Sequence, residues 1–331
     1  MLRAVTIATL LGAAAYGGYW FFAKSTAETA TQNAIANARA LGYQISYDDL
    51  HLRGFPSRLD QTATNLSVTF PDGQSGVDLE WLQAFALSYR PNQVIIATPR
   101  SFDLRLGGQE IAIGNDDLKA QVDVGLDLAL PLERAVIEGH QMRFTGGQWE
   151  VAADGLLAAL RPAPTAAAGE HLYDIYAELR DIALPPAMAE RLGATGVMPA
   201  ALDGLRLTAT ARFAEALSLK APPVLTEVTF SDASLNWGEA GLALSGTLHP
   251  DTAGRATGQV NVTLRNWTEV LDLAQAAGLL SADQQRLIGQ GLQLLGGGAE
   301  LTAPITLEGG QMRLGFLPLG PAPALPFTLP Q

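Results

Sequence analysis

The chain contains no cysteine. That single absence excludes disulfide staples, thiolate metal sites and cysteine nucleophiles together. It agrees with a location outside the cytoplasm without requiring one. Charge is scarce as well: 16% of the 331 residues are Asp, Glu, Lys or Arg, against about a quarter in ordinary domains. Basic residues are the scarcer sign, 21 against 33 acidic, for a net charge of −12. Such a chain repels phosphate backbones, so nucleic acid is excluded as a partner, and broad adhesion to anionic lipid is disfavoured. Aromatic residues are only 7%. Histidines number 4 (His51, His140, His171 and His249) and none has a metal-ligand partner at helical or hairpin spacing. No His-Glu-x-x-His element, Gly-x-Ser-x-Gly elbow or Walker loop occurs. The GQGLQLL stretch at Gly289 lacks the last glycine of a dinucleotide fingerprint and follows no strand pattern. No cofactor and no metal is expected.

Apolar residues, by contrast, make up 48% of the chain. A large core can form, and disorder is excluded over most of the length. The length suits one large domain or two ordinary ones. The longest uncharged run is Ala4 to Ala23, preceded by Arg3 and followed by Lys24. As a helix it would extend about 30 Å, the thickness of a bilayer core. Tyr16, Tyr19 and Trp20 stand near its far end, where rings favour the interface. The expectation is a single-pass inner-membrane anchor at residues 1–24, the start cytoplasmic and the bulk periplasmic. A cleaved signal peptide ending at Ser25-Thr26-Ala27, with release to the periplasm, is the alternative. Residues 25–42 read as a helical stem, ended by Gly42. Fully helical, it would hold the first strand about 24 Å off the bilayer.

From Tyr43 the pattern turns to period two. Strands are expected at YQISYDDLHLRG, RLDQTATNLSVTF, LQAFALSY, QVIIATP, DLRLGG and QEIAIG, with turns at Pro71-Asp72-Gly73, Arg90-Pro91-Asn92 and Gly107-Gly108. DLKAQVDVGLDLALPL alternates with Val122, Val124, Leu126, Leu128 and Leu130 on one face. Further strands follow to about residue 265, and no strand–helix alternation appears. The fold class expected is therefore mainly β: an antiparallel curved sheet or sandwich with an N-terminal transmembrane helix and a C-terminal helical hairpin. A first β region would cover 43–160, a Pro/Ala-rich loop 161–169, and a second β region 170–331. A short helix is expected at 185–193, with proline in its first turn. The helical hairpin spans 267–296: one helix capped by Asn266, then one opened by Ser281 and Gln284 in capping-box spacing, with Leu287, Ile288, Leu292 and Leu295 as its apolar face. GHQMRF (139–144) and GQMRLG (310–315) echo one another, as two similar hairpins would.

Paired carboxylates are the remaining chemistry, because two can suffice for glycoside hydrolysis. The pairs are Asp48-Asp49, Asp116-Asp117 and Asp123/Asp127. Asp123 and Asp127 fall opposite the Val/Leu series, hence on a solvent side, and a solvated polar face is the default reading. No catalytic residue is assigned. The unusual feature is distributed instead. Alternating apolar faces across many strands must be covered by something. The protein itself can cover them, as the default for most of the area, or a ligand with acyl chains can lie in a groove.

Several segments resemble a family of uncharacterised bacterial envelope proteins, the domain-of-unknown-function family DUF2125. They are GYQISYDDLHLRGFPSRLD (42–60), AFALSYRPNQVIIATP (84–99), ALDGLRLTATARF (201–213) and GGQMRLGFLPLGPAPALP (309–326). Gly54-Phe55-Pro56 and the Leu-Gly-Pro-x-Pro ending are the most specific. The resemblance implies an anchored or secreted envelope protein and brings no catalytic residues. A fainter similarity to AsmA/TamB-like envelope proteins implies an apolar β groove serving lipid transport or membrane homeostasis. The function expected is a non-enzymatic, membrane-anchored periplasmic protein that binds lipid or supports envelope assembly. Its partners would be the inner membrane, through residues 4–23, and lipids or envelope proteins. The alternatives are a structural protein-interaction module and a periplasmic carboxylate hydrolase.

Overall fold

The computed structural model describes residues 2–126, 130–147, 149–183, 201–218, 223–276, 280–294, 300–315 and 317–325. The helix expected at 185–193, the residues Asp127, Leu128 and Leu295, and the Gly296–Gly298 stop lie outside the described residues. Contacts divide the chain into two units: Met1–Val124 with Arg143–Gln148, and Gly125–Met142 with Trp149–Gln331.

The first unit opens with helix α1 (Leu2–Ala40). Eight strands follow: β1 (Gln44–Ser46), β2 (Asp49–Arg53), β3 (Arg58–Thr69), β4 (Gly76–Leu87), β5 (Arg90–Ala97), β6 (Ser101–Leu106), β7 (Gln109–Gly114) and β8 (Lys119–Val124). Every pairing is antiparallel. β1 and β2 lie end to end along β3, which pairs with β4. The far half of β4 takes β5 and then β8; its start takes β6 and then β7. The Pro71-Asp72-Gly73 turn forms as expected. The Asp72 carboxylate accepts from the backbone N–H groups of Gln74 and Ser75, and Gly73 supplies a φ of 67°. The next hairpin lies earlier than its proline suggested. Ser88 and Tyr89 make the turn, and Arg90 already pairs with Leu87.

Helix α1 does not stand away from the sheet. Trp20, Ala23 and Ala27 pack on Leu52, Leu59 and Ala86. The Trp20 Nε1–H donates to the Arg58 carbonyl at 2.8 Å, and the Tyr19 hydroxyl to the Ser88 carbonyl at 2.6 Å. Further along, the Thr31 hydroxyl donates to Gln61, Arg39 donates to the Ile45 carbonyl, and Tyr43 meets Phe70. The helix therefore runs beside β3, from the Arg58 end to the Phe70 end. Its length from Trp20 to Ala40, about 30 Å, matches the reach of most of a twelve-residue strand. The small side chains of Ala23 and Ala27 let the helix come close, and only Trp20 is large.

This overturns two expectations. The 25–40 segment is helical as expected, but it lies along the sheet and does not stand free of it. Among the described residues, no helix is long and apolar enough to cross a membrane. The physical reason is visible at residues 16–20. The aromatic end that a spanning reading assigns to the bilayer uses its polar atoms on Ser88 and Arg58. That leaves an uncharged run of residues 4–15, about 18 Å of helix, short of a bilayer core.

The expected alternation through Leu130 also stops early. β8 ends at Val124, because Pro131 lies against Gly125 and its carbonyl takes the Gly125 N–H. Leu126 is 80% exposed rather than part of a buried face. Asp123 does not face solvent either. It is buried, and the Gln121 amide donates to both of its carboxylate oxygens at 3.0 and 3.2 Å.

The second unit is a meander of antiparallel neighbours. In order it holds β9 (Leu132–Gly146), which lends its last residues to the first unit, then β10 (Trp149–Pro162), β11 (His171–Ala183), β12 (Ala201–Phe213), β13 (Leu225–Trp237), β14 (Ala240–Pro250) and β15 (Ala256–Arg265). Helices α2 (Trp267–Ala276) and α3 (Ala282–Leu294) interrupt it before β16 (Glu300–Glu308), β17 (Gln311–Leu314) and β18 (Leu317–Pro321). The Pro/Ala-rich stretch 161–169 joins β10 to β11, which pair along their length. The capping box forms: Ser281 Oγ accepts from the Gln284 N–H at 3.2 Å, and Gln284 Oε1 from the Ser281 N–H at 2.9 Å. Asn266 starts α2 differently. Its backbone carbonyl accepts from Glu269 and Val270, while its side chain donates to the Glu239 carbonyl. On α3, Ile288 and Leu292 face inward, but Leu287 is 53% exposed.

Candidate ligand-binding face

Register sorts the second unit's sheet into two chemically opposite faces. Ile175 pairs with Ala209, Ala209 with Phe230, and Ala233 with Leu207 and Leu244. Leu244 pairs with Val262, and Val260 with Ile305. Paired residues point to one side, so these positions build one apolar face across β11 to β16. The reverse face is polar and internally paired. The Arg206 guanidinium meets Glu178 at 3.2 Å, which raises its pKa, first through that hydrogen bond. Arg212 bridges Glu170 and Glu227. The Glu170 carboxyl lies below the usual range, chiefly because it accepts from the Ala167 N–H and secondly from Arg212. Thr229 shares a hydrogen bond with Thr247, and Thr263 with Thr302.

The apolar face is closed at both ends. At one end Tyr173, Ala211, Phe213, Val228, Leu248 and Leu307 form a buried cluster. The final segment covers it: Ala322 and Leu325 pack there, held by backbone bonds from Ala322 to Gly310 and from Leu325 to Gly254. At the other end α2 and α3 bring Trp267, Leu271 and Leu292 onto Leu264 and Leu301.

Between these plugs lies a strip of the face that is less deeply buried, although Ala209 at its centre is 3% exposed and Ile175, Leu207 and Phe230 pack against the end cluster. Ile175, Leu207, Phe230, Leu244 and Val262 are only half-buried, as are Thr208, Thr210, Thr229, Ser245 and Thr263 on the polar face behind them. Leu205, at the strip's edge, is 37% exposed. From β11 to β16 the face measures about 24 Å at the standard strand spacing. Half a bilayer core, the length of one acyl chain, is about 15 Å. The default expectation of self-cover is thus met fully at the ends and in part in the middle.

The carboxylate candidates are not brought together. Asp48 accepts from the Asn65 amide at 2.6 Å, and Asp49 pairs with His51 at 2.8 Å. Asp116 and Asp117 are exposed in the β7–β8 turn. His249 lies 3.3 Å from the Thr226 carbonyl, remote in sequence from the other histidines. No group of three metal-capable side chains occurs among the described residues.

Sequence reasoning found the apolar series but could not say where it was covered. The helical hairpin and the Pro-rich ending were legible as elements. Their placement at opposite ends of one face was not. The two Gln-Met-Arg echoes fall on β9 and β17, and both methionines turn inward: Met142 is 1% exposed and Met312 packs on the end cluster.

No curated protein and no solved structure matches the chain, so the fainter likeness to AsmA/TamB-like proteins gains no support. A family model does match, over residues 20–323, nearly the whole chain. Its first matched residue is Trp20, the ring that docks α1 on the sheet. The chain therefore belongs to the family described as uncharacterised proteins conserved in bacteria, DUF2125.

Proposed function

We propose that this is a non-catalytic bacterial envelope protein that holds the acyl chain of a lipid against the strip between Leu207, Phe230 and Leu244. The observation that carries the reading is the strip itself: an apolar face plugged at both ends and, among the described residues, only partly buried along its middle, with Leu205 37% exposed at its edge. Apolar side chains left partly accessible along a sheet face offer a place for a ligand or partner. Its lining supports an acyl chain over a polar substrate, because the strip carries no charged side chain. The engagement of Asp48, Asp49 and Asp123 by neighbouring side chains supports a binding role over carboxylate hydrolysis.

Export is part of the proposal, with α1 retained. Trp20 lies before the Ser25-Thr26-Ala27 cleavage motif, and its removal would uncover Leu52 and Leu59. The full chain, purified from bacterial membranes, is expected to carry near-stoichiometric acyl lipid on solvent extraction and mass spectrometry. Lipid-free protein that takes up no acyl probe, with an envelope protein co-purifying instead, would favour the protein-partner reading.

A further inference from the structure

A second surface, on the first unit, points to a membrane contact that does not depend on the acyl-chain reading. Aromatic residues are few in this chain, yet every exposed ring among the described residues lies at one end of one unit. They are Tyr16, Tyr19, Phe21, Phe22, Phe55 and Tyr89. Three pieces of chain supply them: the end of the uncharged run in α1, the turn before β3, and the β4–β5 hairpin. The pieces are fixed to one another. Tyr16 and Tyr19 bond Ser88, Trp20 bonds the Arg58 carbonyl, and Phe55 packs on Trp20 and Phe21 at ring distances of 5.3 and 6.2 Å. Phe22 is 71% exposed, Tyr89 61% and Phe55 58%. A soluble surface has no use for such a collar, whereas rings with one wet and one apolar side concentrate at bilayer interfaces.

Charge on the same end is complementary to lipid. On the sheet face opposite α1, a cleft of about 560 Å³ is lined by Arg58, Phe85, Leu87, Arg90, Ile95 and Gln121, among others, with Asp60 and Asp123 beside it already engaged by Arg58 and Gln121. Arg58 is already used: it stacks over Phe85 at 5.3 Å and forks onto Asp60 at 3.0 Å. The Arg90 guanidinium has no ion-pair or hydrogen-bond partner among the described residues. In a chain of net charge −12, a cleft with a free guanidinium beside exposed Leu87 and Ile95 suits an anionic amphiphile.

We propose that this end of the first unit rests on a bilayer interface. The rings of Phe21, Phe22, Phe55 and Tyr89 sit at headgroup depth, and Arg90 holds the phosphate of an anionic lipid. Continuity fixes the occupant as a membrane. The collar is the direct continuation of the uncharged run 4–15, so whatever apolar phase receives that run meets these rings next. Docking of α1 along β3 brings Phe55 and Tyr89 to the same level. The opposite turns, near Asp72 and Gly108, stand about 36 Å away along β3 and β4. The contact is one-sided, with the helix entering a single leaflet.

Absence of cysteine makes the test clean, because one introduced cysteine is the only labelling site. Full-length Phe55→Cys, Tyr89→Cys and Gln109→Cys proteins, each carrying a nitroxide, are reconstituted with phosphatidylcholine vesicles with and without phosphatidylglycerol. Collision with oxygen and with a water-soluble nickel chelate reads the depth of each label. Labels at 55 and 89 are expected to be shielded from nickel, and the label at 109, at the far end, to be freely accessible. Equal nickel access at all three positions overturns the membrane contact. Vesicle partitioning of Arg90→Gln and Arg90→Lys then tests the headgroup. R90Q is expected to lose about fivefold in partitioning on phosphatidylglycerol vesicles alone, the effect of one basic residue at an anionic surface, and R90K to retain it. An equal loss on both vesicle types, or none, overturns the role of Arg90.

Discussion

Leu207 and Leu307 lie on the same apolar face, and truncating each to alanine should have different consequences. Leu307 is 3% exposed inside the end cluster, where Tyr173, Val228 and Leu248 surround it. Leu307→Ala leaves a cavity that its neighbours fill only in part, so about 2–5 kcal/mol of stability should be lost. Leu207 is only partly buried, at the border of that cluster. Its truncation leaves no sealed cavity and removes only part of a leucine's burial, so about 1 kcal/mol is expected. Urea unfolding followed by tryptophan fluorescence resolves that gap, since Trp237 and Trp267 are buried in the second unit. A ligand changes the comparison. Leu207→Gln sets an amide under an acyl chain, where an unpaired polar group costs about 1–3 kcal/mol. Affinity for a fluorescent acyl probe should fall about 5- to 150-fold, while Thr208→Gln on the polar face should leave it unchanged. If Leu207→Ala destabilises the lipid-free protein as much as Leu307→Ala, the strip is already covered. The reasoning from half-exposure then fails, whatever the probe does.

Trp20→Ala should release α1 from the sheet at a cost of about 3–5 kcal/mol, seen as faster tryptic cleavage after Lys24 and Arg39. Trp20→Phe keeps the ring and loses only the bond to the Arg58 carbonyl, so it should fall between wild type and W20A. Gly246 has a φ of 149°, and a Cβ there would meet the Gln259 carbonyl oxygen at 2.3 Å. Gly246→Ala should therefore cost well over about 1 kcal/mol, read from the denaturation midpoint. The Asp72 carboxyl is held below its ordinary value first by the Ser75 hydroxyl and then by backbone N–H groups. Its stabilising contribution is complete above the unfolded value and disappears as pH falls through the lower folded one. Asp72→Asn should remove that part of the acid dependence, and an Asp72 titration by NMR at the ordinary carboxylate value would contradict the turn's role.

Much of the fold was legible because strand periodicity is a local signal. The alternation from Tyr43 onward located β3, β6 and β7 close to their observed limits, while the single strand expected at YQISYDDLHLRG is two, β1 and β2. Ser281 and Gln284 announced α3 by a bond that closes within four residues. Errors arose where a distant residue decided the matter. Val122 to Leu130 alternates well, yet the strand stops at Val124 because Pro131 turns back over Gly125. Asp123 was placed toward solvent by parity, but the Gln121 amide and neighbouring β5 bury it. The Ser88 turn was displaced from Pro91 because two tyrosines some seventy residues earlier hold the serine.

The sequence by itself determined the chemistry available: no thiols, no metal cluster of recognisable spacing, few charges, and an amphipathic pattern that must become an antiparallel sheet. Those properties depend on composition and on contacts between near neighbours. Tertiary structure alone decided which part of the apolar face is deeply buried and which only partly. That depends on where α2, α3 and the Pro-rich ending come to rest, and register carries them there over many strands. It also decided that the uncharged N-terminal segment is shared between two environments. Residues 4–15 retain their run without charge, while Trp20 and its neighbours belong to the sheet, because their indole and phenol groups find partners at Arg58 and Ser88 that no local rule could supply.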